Sequence, residues 1–110
     1  MSVRLPEGAE FYKRTPSFTE SSVPAGLLKD HSTKDGTWGS IVVEQGRLHY
    51  SISDPRRSAS ETVVTPAAAA VIEPTIAHRV EPLGTVRFHI RFYREVPSSS
   101  PVKAQGIDRR

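Results

Sequence analysis

In the stretch GRLHYSI, Leu48, Tyr50 and Ile52 alternate with Arg47, His49 and Ser51. In TVRFHIRFYR, Val86, Phe88, Ile90 and Phe92 alternate in the same way with Arg87, His89, Arg91 and Tyr93. A hydrophobic repeat of two sends one set of side chains to each face of a pleated strand, so both stretches predict half-buried β-strands. Further strand candidates lie at 16–19, 25–30, 38–45, 61–65, 69–73 and 77–81. The chain thus reads as all-β, with about eight short antiparallel strands forming a sandwich, jelly roll or barrel. Nine prolines and seven glycines punctuate it at short intervals and argue against long helices. The alanine run from Ala67 to Ala70 favours helix, but the segment between Pro66 and Pro74 is too short to hold one, and it reads as a turn into a strand. Phe18, Leu28, Ile41, Val43, Leu48, Tyr50, Val80, Phe88, Ile90 and Phe92 are the expected core. SDPRRSAS (53–60) reads as a polar loop. Residues 1–96 read as one domain, and 97–110, rich in Pro and Ser, as a loosely packed tail.

Composition narrows the class. With 36% hydrophobic and 25% charged residues, 110 residues suffice for one globular core. No apolar run approaches the roughly 20 residues of a membrane span. The N-terminus MSVRLPEGAE carries no apolar signal region, so a cytoplasmic location is the expectation. There is no cysteine, hence no disulfide, and any metal would need nitrogen and oxygen ligands. A net charge of +3 invites a nucleic-acid reading. The arginines are scattered, however, and no RNA-binding strand motif or helix-turn-helix pattern accompanies them, so the expectation is no nucleic acid and no membrane partner.

Four histidines are the candidates for chemistry. Alternation places His49 and His89 opposite the bulky apolar residues of their strands, facing outward. His31 and His78 each adjoin a turn, and on neighbouring strands they would meet inside a barrel, where imidazole commonly serves first-row metals. From spacing alone, two such histidines are more often structural or surface residues than ligands. Trp38 reads as core edge or as the lip of a ligand mouth. Arg91 reads as an exposed strand residue or an anion contact. No Gly-rich phosphate loop, nucleophile elbow or paired carboxylates occur.

Several motifs carry a more specific signal: Leu5-Pro6, Thr15-Pro16-x-Phe18, His31-Ser32-Thr33 followed by Gly36, Gly46-x-Leu48-x-Tyr50, and Pro74-x-x-x-His78-x-Val80-Glu81. Over residues 4 to 95 the chain resembles the TehB/YeaR-like family, small cupin-like domains of unassigned activity. Some stand alone, and others are fused to the methyltransferase of tellurite-resistance proteins. The resemblance implies a cupin-like jelly-roll barrel. Against the wider cupin pattern, His31 and His78 fill two ligand positions, while Thr33 and Gly39 stand where a histidine and a glutamate are usual.

That resemblance implies a small metal-binding domain, tied to tellurite or nitrogen-oxide stress, that binds or transforms a small molecule or anion at a weak site. His31 and His78 would hold Zn, Ni, Fe or Mn, with Glu81, His89, His49 or water as third ligand and Thr33, Trp38 and Glu81 lining the pocket. The space at Gly39 would hold water. The alternative is a metal-free module that binds a small ligand or a protein. A homodimer is expected from the resemblance alone.

Overall fold

The structure, a computed structural model, describes residues 4–95. Six strands follow in order: β1 (Glu10–Arg14), β2 (Phe18–Thr19), β3 (Thr37–Ile52), β4 (Ser60–Val64), β5 (Ala70–Ile72) and β6 (His78–Arg94). All pairings are antiparallel, in one sheet of order β1-β6-β3-β4, with β2 also on β6 and β5 also on β3. The all-β reading holds. The barrel of about eight short strands does not, because two strands are long and the sheet does not close. No helix among the described residues is long and apolar enough to cross a membrane. The tail 97–110 lies outside the described residues.

The strand count fell because two apparent turns are bulges. Gln45-Gly46 and the Pro82–Gly84 stretch look like strand ends, yet β3 pairs with β6 from Thr37↔Arg94 through to Ile52↔His78. Register shifts between Val43 and Gln45, and again between Gly46 and Leu48, absorb the irregularity. A bulge bends a strand and raises its twist without ending the ladder. Gly46 has φ +84, and a Cβ there would sit 2.1 Å from the Thr85 carbonyl oxygen, so only glycine fits this backbone approach.

Two other segments also depart from expectation. Residues 25–28 form a 3₁₀ turn instead of a strand, because Pro24 sets φ near −61 and its carbonyl accepts the Leu27 N–H at 3.0 Å. Leu27 therefore packs on the core, and Leu28, expected inside, is 42% exposed. Strand β1 was hidden by its own bulge, between Phe11 and Lys13, which breaks the alternation of EFYKR.

One face of the sheet supplies the core. Ile41, Val43, Leu48 and Tyr50 from β3 pack with Val80, Val86, Phe88 and Ile90 from β6, and with Val64 and Ile72 from β4 and β5. Phe18 and Phe92 are partly buried against them, and the Phe18 and Phe88 rings meet edge to face at 5.7 Å. Gly46→Ala is expected to cost about 2–5 kcal/mol, combining a left-handed backbone with an overpacked carbonyl contact. Phe88→Ala is expected to cost about 3–5 kcal/mol, since its ring is fully buried. Urea denaturation reads both, and a loss below about 1 kcal/mol at Gly46 would mean that the ribbon is not bent there.

Candidate functional site

At the start of β6, His78 lies opposite Ile52 of β3 on the core-facing side, two residues before Val80. His31 extends the sheet by one bridge on the other edge of β6: each histidine's N–H donates to the other's carbonyl, at 2.9 and 2.8 Å. Residues directly paired in this way present their side chains to the same face. The imidazoles accordingly meet edge to face, with centroids 4.2 Å apart, and Tyr50 continues the row 5.6 Å beyond His78.

The two histidines repeat one local motif. His31 Nδ1 lies 2.8 Å from the Lys29 carbonyl oxygen, and His78 Nδ1 lies 3.0 Å from that of Ile76. A carbonyl only accepts, so Nδ1 carries the proton in both rings and Nε2 is left as the acceptor of the neutral form. His78 is 1% exposed, and burial pushes its pKa below the usual histidine value. Burial and the nearby Glu73 charge push the Tyr50 phenol up to about 12, so it stays neutral and donates to the Val71 carbonyl at 3.2 Å.

The loop entering β6 is clamped from both sides. Asp54, buried after the end of β3, accepts the Arg56 N–H and Nε at 2.8 and 2.9 Å, Arg56 Nη2 at 2.8 Å and the Ala77 N–H at 3.0 Å. These donors, the Arg56 side chain foremost, hold its carboxyl well below the ordinary range. Arg56 also donates to the Thr75 carbonyl at 2.5 Å, and the Thr75 N–H donates to the Thr33 carbonyl at 2.9 Å. Thr75 has φ +66, unfavourable for a β-branched residue and maintained by these bonds. The clamp thus fixes the segment that carries His78. Sequence reading passed over Asp54 and Arg56 as a polar loop, although Asp-Pro-Arg is a recognisable Asx-turn signal.

Beside the ring row, a groove of about 650 Å³ opens between β4 and β5. Tyr50, Ile52, Thr62, Val64 and Ala70 line it. Arg57 and Glu73, joined by a two-armed ion pair with one contact at 3.0 Å, also border it. It remains open because β4 is an edge strand, and Ser60–Val63 are exposed along its length.

The remaining sequence candidates do not converge on the histidines. Thr33 lies in the same strap but turns its hydroxyl to the Thr37 carbonyl, 2.7 Å away. Trp38, at the far end of β3, donates from Nε1 to Glu95 at 3.2 Å. Glu81 is exposed and pairs with His49, an odd number of positions from His78 and therefore on the convex face. His49 contacts Glu61 at 3.1 Å, and His89 donates from Nδ1 to Glu44 at 2.6 Å. Bonds from Ser17 and His89 hold Glu44 down to about 2. Gly39 does not leave a hole: a Cβ there would lie 3.1 Å from Ile72 Cδ1, so an isoleucine fills the position.

The expectation of a metal-binding cupin-like domain with bound Zn, Ni, Fe or Mn is therefore corrected. No group of three or more His, Asp or Glu side chains among the described residues is placed to hold a metal ion. The side chains suggested as third ligand, Glu81, His89 and His49, stand on the opposite face of the sheet. The relatives, moreover, carry the name of a different chemistry. The family model described as "TehB-like domain" matches residues 13–90. The probable S-adenosyl-L-methionine-dependent methyltransferase TehB of Haemophilus influenzae Rd is 35% identical over 74 residues, which are 66% of this chain and 26% of that protein. Its counterpart in strain 10810 is 34% identical over the same length. The chain spans about a quarter of these curated relatives.

Among solved structures, TehB of H. influenzae superposes with a TM-score of 0.73 at 27% identity, covering 91% of this chain and 37% of that one. A protein of Escherichia coli K12 superposes at 0.74 and 21% identity, covering 86% of this chain and 99% of that one, a likeness of fold alone. S-adenosylmethionine, implied by the relatives' name, does not fit the residues described here. Dinucleotide-type cradles use a strand, a Gly-rich turn and a helix N-terminus, and the one helical element here is four residues of 3₁₀ turn.

Stability is expected to fall as pH drops from about 7. The folded His78 pKa lies below its unfolded value of 6.5, so under that value the unfolded chain holds more protons. The loss continues down to the folded pKa, and His78→Phe is expected to flatten it in urea titrations run at stepped pH. A second loss, from Asp54, begins below the unfolded aspartate value of about 3.9. An unchanged midpoint between pH 7 and 5 would contradict the burial of His78.

Proposed function

The chain belongs to the TehB-like domain family, and from that premise we propose that it is a β-domain serving S-adenosylmethionine-dependent methyl transfer from the acceptor side. The cofactor, on this reading, is held by polypeptide outside the matched segment. The observation that carries it is a mismatch of extent and architecture. Two-thirds of this chain aligns with proteins named as probable methyltransferases, yet it spans 26% of them and is built of antiparallel strands alone.

The groove is what such a domain would offer an acceptor. Its walls are the apolar faces of Tyr50, Ile52, Val64 and Ala70, with the Thr62 hydroxyl on one side. An apolar cleft with a few placed polar groups is the usual form of a small-molecule site. His78, carried by the clamped segment, packs edge to face against Tyr50 of this wall. No proton transfer or covalent step is assigned to these residues; their part is to bind and orient.

The reading is tested by a chimaera in which residues 4–95 replace the matched segment of H. influenzae TehB. Turnover is followed as S-adenosylhomocysteine release with the parent enzyme's acceptor. The chimaera is expected to turn over, and Thr62→Trp within it, which fills the groove from an exposed edge strand, is expected to raise the acceptor KM at least about tenfold, the effect of losing roughly 1.4 kcal/mol of binding. The KM for S-adenosylmethionine should not move. An active chimaera indifferent to Thr62→Trp would remove the groove from the account.

A further inference from the structure

The strap between His31 and β3 ends in a tight turn over Lys34–Thr37. The Thr37 N–H donates to the Lys34 carbonyl at 3.1 Å, and Gly36 stands at φ +81 just before it. At the tip of that turn Asp35 is exposed, and it joins no ion pair among the described residues. Neither the Asp35 carbonyl nor the Gly36 N–H is bonded to another described residue. A peptide plane held by no hydrogen bond can rotate, the motion that separates type II from type I turns. A Cβ on Gly36 would meet nothing within 4 Å, so the space beside that N–H is open.

The other described aspartates are placed differently. The amide after Asp30 belongs to His31 and donates to the His78 carbonyl at 2.9 Å, while the Asp30 carboxylate faces Arg79. Asp54 precedes Pro55, which has no N–H. Its carboxylate is also held by the Arg56 side chain and the Ala77 N–H. The chain contains no asparagine. Among the described residues, Asp35 alone sets an unpaired carboxyl group beside an unengaged amide of the next residue. That residue is glycine, with no side chain to obstruct a ring.

We propose that Asp35–Gly36 is a modification site, at which the folded chain converts spontaneously to isoaspartate through a succinimide. The Gly36 nitrogen adds to Cγ of the protonated carboxyl group. The N–Cγ bond forms, the Cγ–OH bond breaks, and the hydroxyl leaves as water with the amide proton. A second water then opens the ring. Attack at Cγ restores aspartate. Attack at the main-chain carbonyl breaks its bond to the Gly36 nitrogen, and the backbone then runs through Cβ and Cγ. No oxidant or cofactor enters, and the mass ends where it began. The product's backbone is longer by one methylene, about 1.5 Å. That slack falls between two anchors, the Thr75 N–H on the Thr33 carbonyl and the Glu95 N–H on the Gly36 carbonyl, at 2.9 and 3.1 Å. The Thr37↔Arg94 pair follows at once. A longer strap shifts these bonds and relaxes the closure that bends the ribbon, so the modified chain is less stable. Nothing in this chemistry involves the groove.

The test incubates the full chain for weeks near neutral pH at body temperature and digests it with trypsin, which releases residues 35–47. That peptide is expected to divide into two chromatographic peaks of equal mass, the new one giving the backbone fragments of isoaspartate under electron-transfer dissociation. The native rate is expected to match that of the chain unfolded in urea to within about tenfold, roughly 1.4 kcal/mol of barrier. Asp35→Glu, which needs a larger and slower-closing ring, is expected to leave one peak. Urea denaturation of the aged protein is expected to show a transition of lower midpoint that grows with the new peak and is missing from aged Asp35→Glu. A single peak after ageing would overturn the proposal. So would a native rate more than about tenfold below the unfolded one, since the turn would then protect the bond. A new peak without the weaker transition would overturn the loosening of the strap.

Discussion

The structure depends on a bend. Strands β3 and β6 pair over 16 and 17 residues, a length that would extend about 55 Å if straight. Yet residues at its two ends are tied together by a short strap. His31 bridges to His78 at one end, and Thr37 begins the pairing with Arg94 at the other. Six residues of extended chain reach only about 20 Å, so the ribbon has to fold back on itself. The bulges around Gly46 permit this, and the glycine is required where the backbone of β3 meets the Thr85 carbonyl.

Once the ribbon is bent, the rest follows by burial. The concave side encloses Ile41, Leu48, Tyr50, Ile72 and Phe88, and it draws in His78 because that residue continues the core-facing alternation of Val80. A buried imidazole has to remain neutral and hydrogen-bonded, and the Ile76 carbonyl supplies the partner. The Asp54–Arg56 clamp then immobilises the Thr75 turn, where the backbone is strained. The convex side holds the polar and charged residues that alternation placed there, among them His49, Glu81, His89 and Glu44. This division by face is why the four histidines cannot cooperate: two lie on each side of one sheet.

Alternation was legible wherever the ladder is regular, and it identified Leu48, Tyr50, Phe88 and Ile90 as core. It failed where a bulge shifts the period. Glycine in a strand and glycine in a turn look alike in sequence, so Gly46 divided β3 into two, and the bulge in EFYKR concealed β1. Leu28 misled because the Pro24 turn rotates Leu27 inward in its place. The meeting of His31 and His78 could be anticipated from their turn positions. Their solitude could not, because whether Gly39 faces a void or Ile72 depends on the β3–β5 pairing.

The E. coli neighbour consists almost entirely of this fold, whereas TehB of H. influenzae contains it as 37% of its chain. The antiparallel fold thus recurs in both settings, and on the reading proposed above the cofactor is held by sequence beyond it. Isothermal titration of S-adenosylmethionine into this chain addresses that division most directly. No saturable heat is expected across the range of cofactor concentrations at which methyltransferases work. One-to-one binding with a micromolar Kd would contradict it, because the cofactor would then lie within the strands themselves.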